Sequence, residues 1–143
     1  MITDYAANRI LSAMFGKTSS AQIGSTCYLG LSSTQPNKSG GNVTEPSGNG
    51  YARVLVGIAG QSATQMMGNP SESKITNDKE IHFNAATGSW GILTYAVVYD
   101  AATGGTLLAS GRILNSGGAE TSITPTANSV VVLKVGSLDF SIT

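Results

Sequence analysis

From Tyr51 to Ile58 the chain alternates. Ala52, Val54, Val56 and Ile58 fall on one side of an extended segment, and Tyr51, Arg53, Leu55 and Gly57 on the other. Successive side chains of a strand point to opposite faces, so this period predicts a β-strand. The same alternation runs through 74–83, where Ile75, Ile81 and Phe83 oppose Lys74 and Glu80. Short apolar runs at 27–32, 92–99 and 106–114 read as further strands. The last two are joined by Asp100-Ala101-Ala102-Thr103-Gly104-Gly105, whose aspartate and paired glycines suit a hairpin turn. Short strands are expected near 119–123, 129–135 and 138–142.

The N-terminus has a different period. Ala6, Ile10, Ala13 and Met14 recur at spacings of three and four, and Ala7, Leu11 and Met14 do so beside them. That spacing predicts a helix over 4–15. Thr3 or Asp4 can cap it by accepting from free backbone N–H groups. Gly16 suits the left-handed residue past its end, and Lys17 lies at the negative end of the dipole. A helix this short needs a surface to pack on. Two are available: one end of the chain's own sheet core, or another subunit.

Between the strands, 33–50 and 59–73 are rich in Gly, Asn, Ser and Pro. Structureless loops above about 12–15 residues are uncommon and often functional, so both are candidate contact surfaces. Met66-Met67 in the second loop reads either as an adaptable contact or as a plug of the core. Many short strands with turns between them predict an all-β fold: an antiparallel β-sandwich or jelly-roll-like domain, or a barrel, with one short N-terminal helix. One domain over 1–143 is expected, with helix 4–15 and β structure from about 26 to 143.

Composition narrows the partners. Charged residues make up 11% of the 143, and eight Lys and Arg balance eight Asp and Glu. The basic residues are scattered, without the basic face that phosphate contacts require, so neither nucleic acid nor an anionic membrane is an expected partner. A surface of zero net charge repels its own copies weakly, which favours a homo-oligomer, a trimer among the options. Cys27 is the only cysteine. It can form no internal disulfide, and a lone thiol fits a reducing cytoplasm. The start lacks a basic segment followed by an apolar one, so no signal peptide is expected, and no apolar run approaches the ~20 residues of a membrane span.

Candidate chemistry is sparse. His82, the one histidine, points away from Ile81 and Phe83 and reads as a polar strand residue. A catalytic role would need a nucleophile and an orienting acid that sequence cannot place beside it. Gly88-Ser89-Trp90-Gly91 has the wrong spacing for a nucleophile elbow, and there is no phosphate-binding glycine loop. One Cys and one His cannot complete a zinc site, and no calcium-loop pattern occurs. Asp78 and Glu80 share a strand face and could in principle act on a glycoside. Their neighbours Lys74 and Lys79 make ordinary surface charge the better reading. No catalytic residue, cofactor or metal is expected, and the chain is not expected to be an enzyme. Tyr28, Tyr51, Trp90, Tyr95 and Tyr99 either line a sugar-binding groove or fill the core and its rim. If a glycan is bound, Tyr51 and Trp90 are the candidate contacts.

Several segments resemble one family. They are Tyr28-Leu29-Gly30-Leu31-Ser32 with Pro36-Asn37, then Thr44-Glu45-Pro46 leading to Gly50-Tyr51-Ala52-Arg53-Val54. Ile75-Thr76-Asn77 and Ile81-His82-Phe83 follow, running into Ala86-Thr87-Gly88-Ser89-Trp90-Gly91. The most distinctive is Tyr99-Asp100-Ala101-Ala102-Thr103-Gly104-Gly105-Thr106-Leu107-Leu108, and the chain closes on Val135-Gly136-Ser137-Leu138-Asp139-Phe140-Ser141-Ile142. In this order they are similar to small tailed-bacteriophage virion proteins, tail-fibre-like or head-surface accessory. The resemblance implies a structural virion protein, made in the bacterial cytoplasm and placed on the virion surface. A capsid-surface decoration or head-fibre subunit is the first expectation. A tail-fibre or baseplate module binding a host-surface carbohydrate or receptor is the alternative. Partners would be further copies and major capsid or tail proteins, and the resemblance carries over no catalytic residues. Ile10, Leu11, Met14 and Phe15 are the expected assembly contacts.

Overall fold

A computed structural model describes residues 1–18 and 23–142. The helix forms at Asp4–Met14 (α1). Thr3 caps it, its Oγ1 accepting from the Ala6 N–H at 3.4 Å, and Asp4 lies in the first turn, where the dipole favours a carboxylate. At the far end Gly16 takes φ 68°. Its N–H donates to the Ala13 carbonyl (3.3 Å) and the Lys17 N–H to that of Ser12 (2.8 Å). These two bonds make a Schellman ending, and glycine occupies the left-handed position because a Cβ would be strained there.

The described residues form eight strands: β1 (Thr26–Ser32), β2 (Val54–Ile58), β3 (Lys74–Thr76), β4 (Ile81–His82), β5 (Tyr95–Tyr99), β6 (Leu107–Arg112), β7 (Val132–Leu133) and β8 (Asp139–Ser141). One four-stranded antiparallel sheet runs β2-β1-β5-β6, and two antiparallel ribbons pair β3 with β8 and β4 with β7. The fold is all-β and sandwich-like, as the alternation predicts.

Strand parity places the core. Leu29 and Leu31 of β1, Val56 of β2 and Ala96 of β5 meet Ile81, Phe83, Trp90, Leu93, Leu133 and Leu138 in one cluster. On the other side of the sheet Val97, Tyr99 and Leu107 form a smaller cluster, covered by Val43 from the 33–50 segment. β5 is therefore buried on both faces, which accounts for its unbroken apolar run.

Both edges of the sheet are occupied. Along β6 the first residues of the chain add a short antiparallel stretch. The Thr3 N–H donates to the Leu108 carbonyl (2.9 Å), the Ser110 N–H donates to that of Met1 (2.8 Å), and Ile2 bridges Ala109. Thr3 Oγ1 adds a bond to the Leu107 carbonyl at 2.8 Å. Along β2 the Met66 N–H donates to the Val56 carbonyl (2.9 Å) and the Ile58 N–H to Thr64 Oγ1 (2.9 Å). The 59–73 segment thus folds back on the sheet through a 3₁₀ turn at Ser62–Thr64, with Met66 packed against the main core.

Three expectations change. The alternating run 74–83 is two strands with different partners, because Asn77 between them is buried and acts as a polar tie. Its Nδ2 donates to the carbonyls of Lys79 and Lys134 (2.9 Å each), and its Oδ1 accepts from the Leu138 N–H (2.9 Å). The strand expected near 119–123 reduces to isolated pairings of Leu93 with Ile123 and Leu114 with Glu120. Finally, α1 packs on its own sheet only in part: it meets β6, buries Ala6 and half-buries Ala7, Ile10 and Ala13, and joins neither core cluster.

Asn77→Ala leaves a buried N–H and two carbonyls without partners. At roughly 1–3 kcal/mol for an orphaned buried group, the variant is expected to lose about 2–4 kcal/mol in urea unfolding. An unchanged midpoint would refute the tie.

Candidate functional site

Two features stand out: an uncovered helix face and a buried ionic network. On α1, Leu11 and Phe15 are four residues apart and Met14 is three from Leu11, so the three share a side. They are 51%, 73% and 71% exposed respectively. Ala6 is buried and Ala13 half-buried on the other side of the helix, and Ile10, four residues before Met14, is half-buried between the two sides. Of the four expected assembly contacts, then, the structure presents Leu11, Met14 and Phe15 to solvent and turns Ile10 partly toward its own chain. Single exposed apolar residues are common on protein surfaces. Three together at one helix tip represent about 4 kcal/mol of recoverable burial, at 1.5–3 kcal/mol per fully buried side chain.

The aromatic residues fall elsewhere. Of the two settings weighed for Tyr51 and Trp90, a sugar-facing groove and the core with its rim, the structure places Trp90 in the core and Tyr51, half-buried, packed against it. Trp90 is 5% exposed, and its indole N–H donates to the Asn49 carbonyl at 2.8 Å. Tyr51 stands edge-on to Trp90 at 5.2 Å between centroids and lies stacked near Phe83 at 6.4 Å. Tyr99 is buried, and Tyr95 lies beneath the Arg112 guanidinium.

The Tyr51 hydroxyl leads into a network centred on Glu45 and Arg53. It donates to Glu45 Oε1 (2.6 Å) and accepts from the Leu31 N–H (2.9 Å). Arg53 donates through Nη2 and Nε to the same carboxylate, the closer contact at 2.6 Å. Through Nη1 it donates to the carbonyls of Ala101 and Gly104, 2.8 Å each, in the β5–β6 turn. Its guanidinium carbon lies 3.5 Å from the centroid of the Tyr99 ring, a cation–π contact. Side-chain exposure is 8% for Arg53 and 19% for Glu45. Burial alone would lower the Arg53 pKa, but the hydrogen bonds and charge of Glu45 outweigh it and raise it. Burial first, and Glu45 second, raise the Tyr51 hydroxyl. Gly30 lines the site because nothing larger fits: a Cβ there would lie 2.6 Å from Glu45 Oε1 and 2.8 Å from the Tyr51 hydroxyl.

This network was not singled out from the sequence. The available signal was an arginine inside an apolar strand of a charge-poor chain. The other candidates do not assemble into a site. His82 Nε2 lies 3.0 Å from Glu80 Oε2 with both side chains more than half exposed, and Asp78 is exposed. Among the described residues no three metal-ligating side chains come together. Cys27 is half-buried, and burial pushes its thiol up to about 11.

A family model described as podophage GP4 fiber I protein gp80 matches residues 1–141. No curated protein matches the sequence.

Two predictions arise from these groups. Arg53→Met leaves the partly buried Glu45 carboxylate without its cation and is expected to cost about 2–3 kcal/mol, part of it recovered in the Glu45→Gln, Arg53→Met double variant. Additive effects in that cycle would show the pair is not coupled. For Cys27, the folded thiol keeps its proton to about pH 11 against an ordinary 9.0. Stability from this group is complete below pH 9 and is lost as pH rises toward 11. The wild type is therefore expected to weaken more steeply than Cys27→Ala across that window in chemical denaturation. Parallel curves would contradict the shift.

Proposed function

Since the chain belongs to the Gp80 family of podophage GP4 fiber I proteins and is thus a phage structural protein, we propose that it is a repeating subunit of a fibre-type appendage on the virion surface, anchored through α1. The observation that carries this reading is the exposed stripe of Leu11, Met14 and Phe15 on a helix of which the chain itself fully buries Ala6 alone. An apolar stripe of this kind gains stability only when something covers it.

The geometry suits an anchor. The chain before the helix is fixed to β6 by backbone hydrogen bonds, and Thr3 closes the helix start. The apolar tip therefore projects from a fixed base, and a fixed base lowers the ordering cost of association. Zero net charge removes long-range repulsion between copies. The expected partners are further copies and the capsid or tail proteins that carry the appendage. The role is structural: Asp78 and Glu80 serve as surface charge, and Asp78→Asn with Glu80→Gln is expected to leave assembly and infectivity intact.

The test is Leu11→Glu with Met14→Glu. Both positions are exposed, so stability is expected to change by no more than about 0.5 kcal/mol, while self-association in sedimentation velocity and occupancy on purified particles both fall. Normal occupancy of a folded variant would end the proposal. Imaging the wild-type particle reads out the site of attachment, where capsid surface is expected ahead of tail.

A further inference from the structure

Next to β2 the surface opens into a cavity of about 290 Å³, walled by Cys27, Val56, Ala59, Gln65, Met67 and Ile75. Small-molecule sites run from about 300 to 1,000 Å³ and bring a few polar groups together to orient the ligand. This cavity falls below that size, and two of the polar groups in its wall are engaged elsewhere. The Gln65 amide donates to the Ile58 carbonyl (2.9 Å), and the Thr26 hydroxyl at the rim donates to that of Asp100 (2.7 Å). What remains is an apolar recess of side-chain size.

The chain also carries apolar side chains to fill such a recess. Phe15 and Met14 are more than two-thirds exposed, so they do not occupy it within their own copy. An aromatic ring offers the largest apolar area for one insertion, and methionine adapts to an irregular rim. Knob and hole on one molecule favour a second copy as occupant over an unrelated protein, and zero net charge adds no net long-range repulsion between copies.

We propose that the tip of α1 of one copy seats Phe15, flanked by Met14, in the Cys27–Val56–Ile75 cavity of the next. The contact joins two different surfaces, so every copy offers one knob and one hole. Such a contact closes into a ring where the rotation per copy divides a full turn and otherwise continues as a filament. This inference rests on the helix being an assembly anchor and adds where the anchor sits.

The test uses two single-cysteine variants, Phe15→Cys and Ala59→Cys, each in a Cys27→Ser background and carrying tags of different size. They are mixed and treated with a short bismaleimide. A hetero-linked dimer is expected in clear excess over that from Phe15→Cys with Ser116→Cys, a position outside the cavity. Linking no better than this control overturns the proposal. A second measurement keeps Phe15 intact. Alkylation of Cys27 in the wild type is expected to slow several-fold as concentration is raised into the associating range, and not to slow in Phe15→Ser. A rate independent of concentration also overturns it. If Leu11→Glu with Met14→Glu abolishes association but these tests fail, the anchor stands and only its seat is wrong. If that variant associates normally, both fall.

Discussion

The Glu45–Arg53 pair is the constraint around which the sheet is arranged. In a chain with so few charges, two are withdrawn from water at one point, and the cost of desolvation is offset only if every polar atom finds a partner. The partners come from across the sequence. They are the hydroxyl of Tyr51, the carbonyls of Ala101 and Gly104 and, beneath the guanidinium, the ring of Tyr99. The 33–50 segment, the start of β2, the β5–β6 turn and the glycine of β1 are thereby fixed to one another. Gly105, at φ 75°, belongs to the same arrangement: a Cβ there would collide with Asp100 and Ala101, and Asp100 Oδ1 accepts from the Thr106 N–H to shape the turn.

That network also changes the meaning of the long loop. Its length and composition mark 33–50 as a contact surface. The same segment also has an inner side: Val43 covers the small cluster on the outer face of the sheet, and Glu45 supplies the carboxylate of the network. The segment is thus a structural layer without regular secondary structure, with most of its outer positions left exposed.

What could be read from the sequence was what is decided locally. The helix, the Thr3 cap, the Gly16 ending, β1 and the β5–β6 hairpin depend on residues within a few positions of each other. They appear within a residue or two of where the pattern puts them, apart from β5, which starts at Tyr95. Asn77 defeated the pattern because its partners lie 57 and 61 residues away. Arg53 reaches 48 and 51 residues along the chain to Ala101 and Gly104. The spacing of Leu11, Met14 and Phe15 marked an apolar stripe, yet periodicity alone cannot say whether such a stripe faces inward or outward. The same limit applied to Tyr51 and Trp90, where residue type fits a groove and a core equally well.

The two closed borders of the four-stranded sheet carry a last consequence. An open edge invites another chain to zip onto it, a growth mode that no sequence register restrains. Here residues 1–3 lie along β6, and Thr64 and Met66 take up groups of β2. Backbone templating by the main sheet is blocked on both flanks, so a contact made at this sheet runs through side chains. A protein built in this way can expose an apolar helix tip without being amyloid-prone along its main sheet.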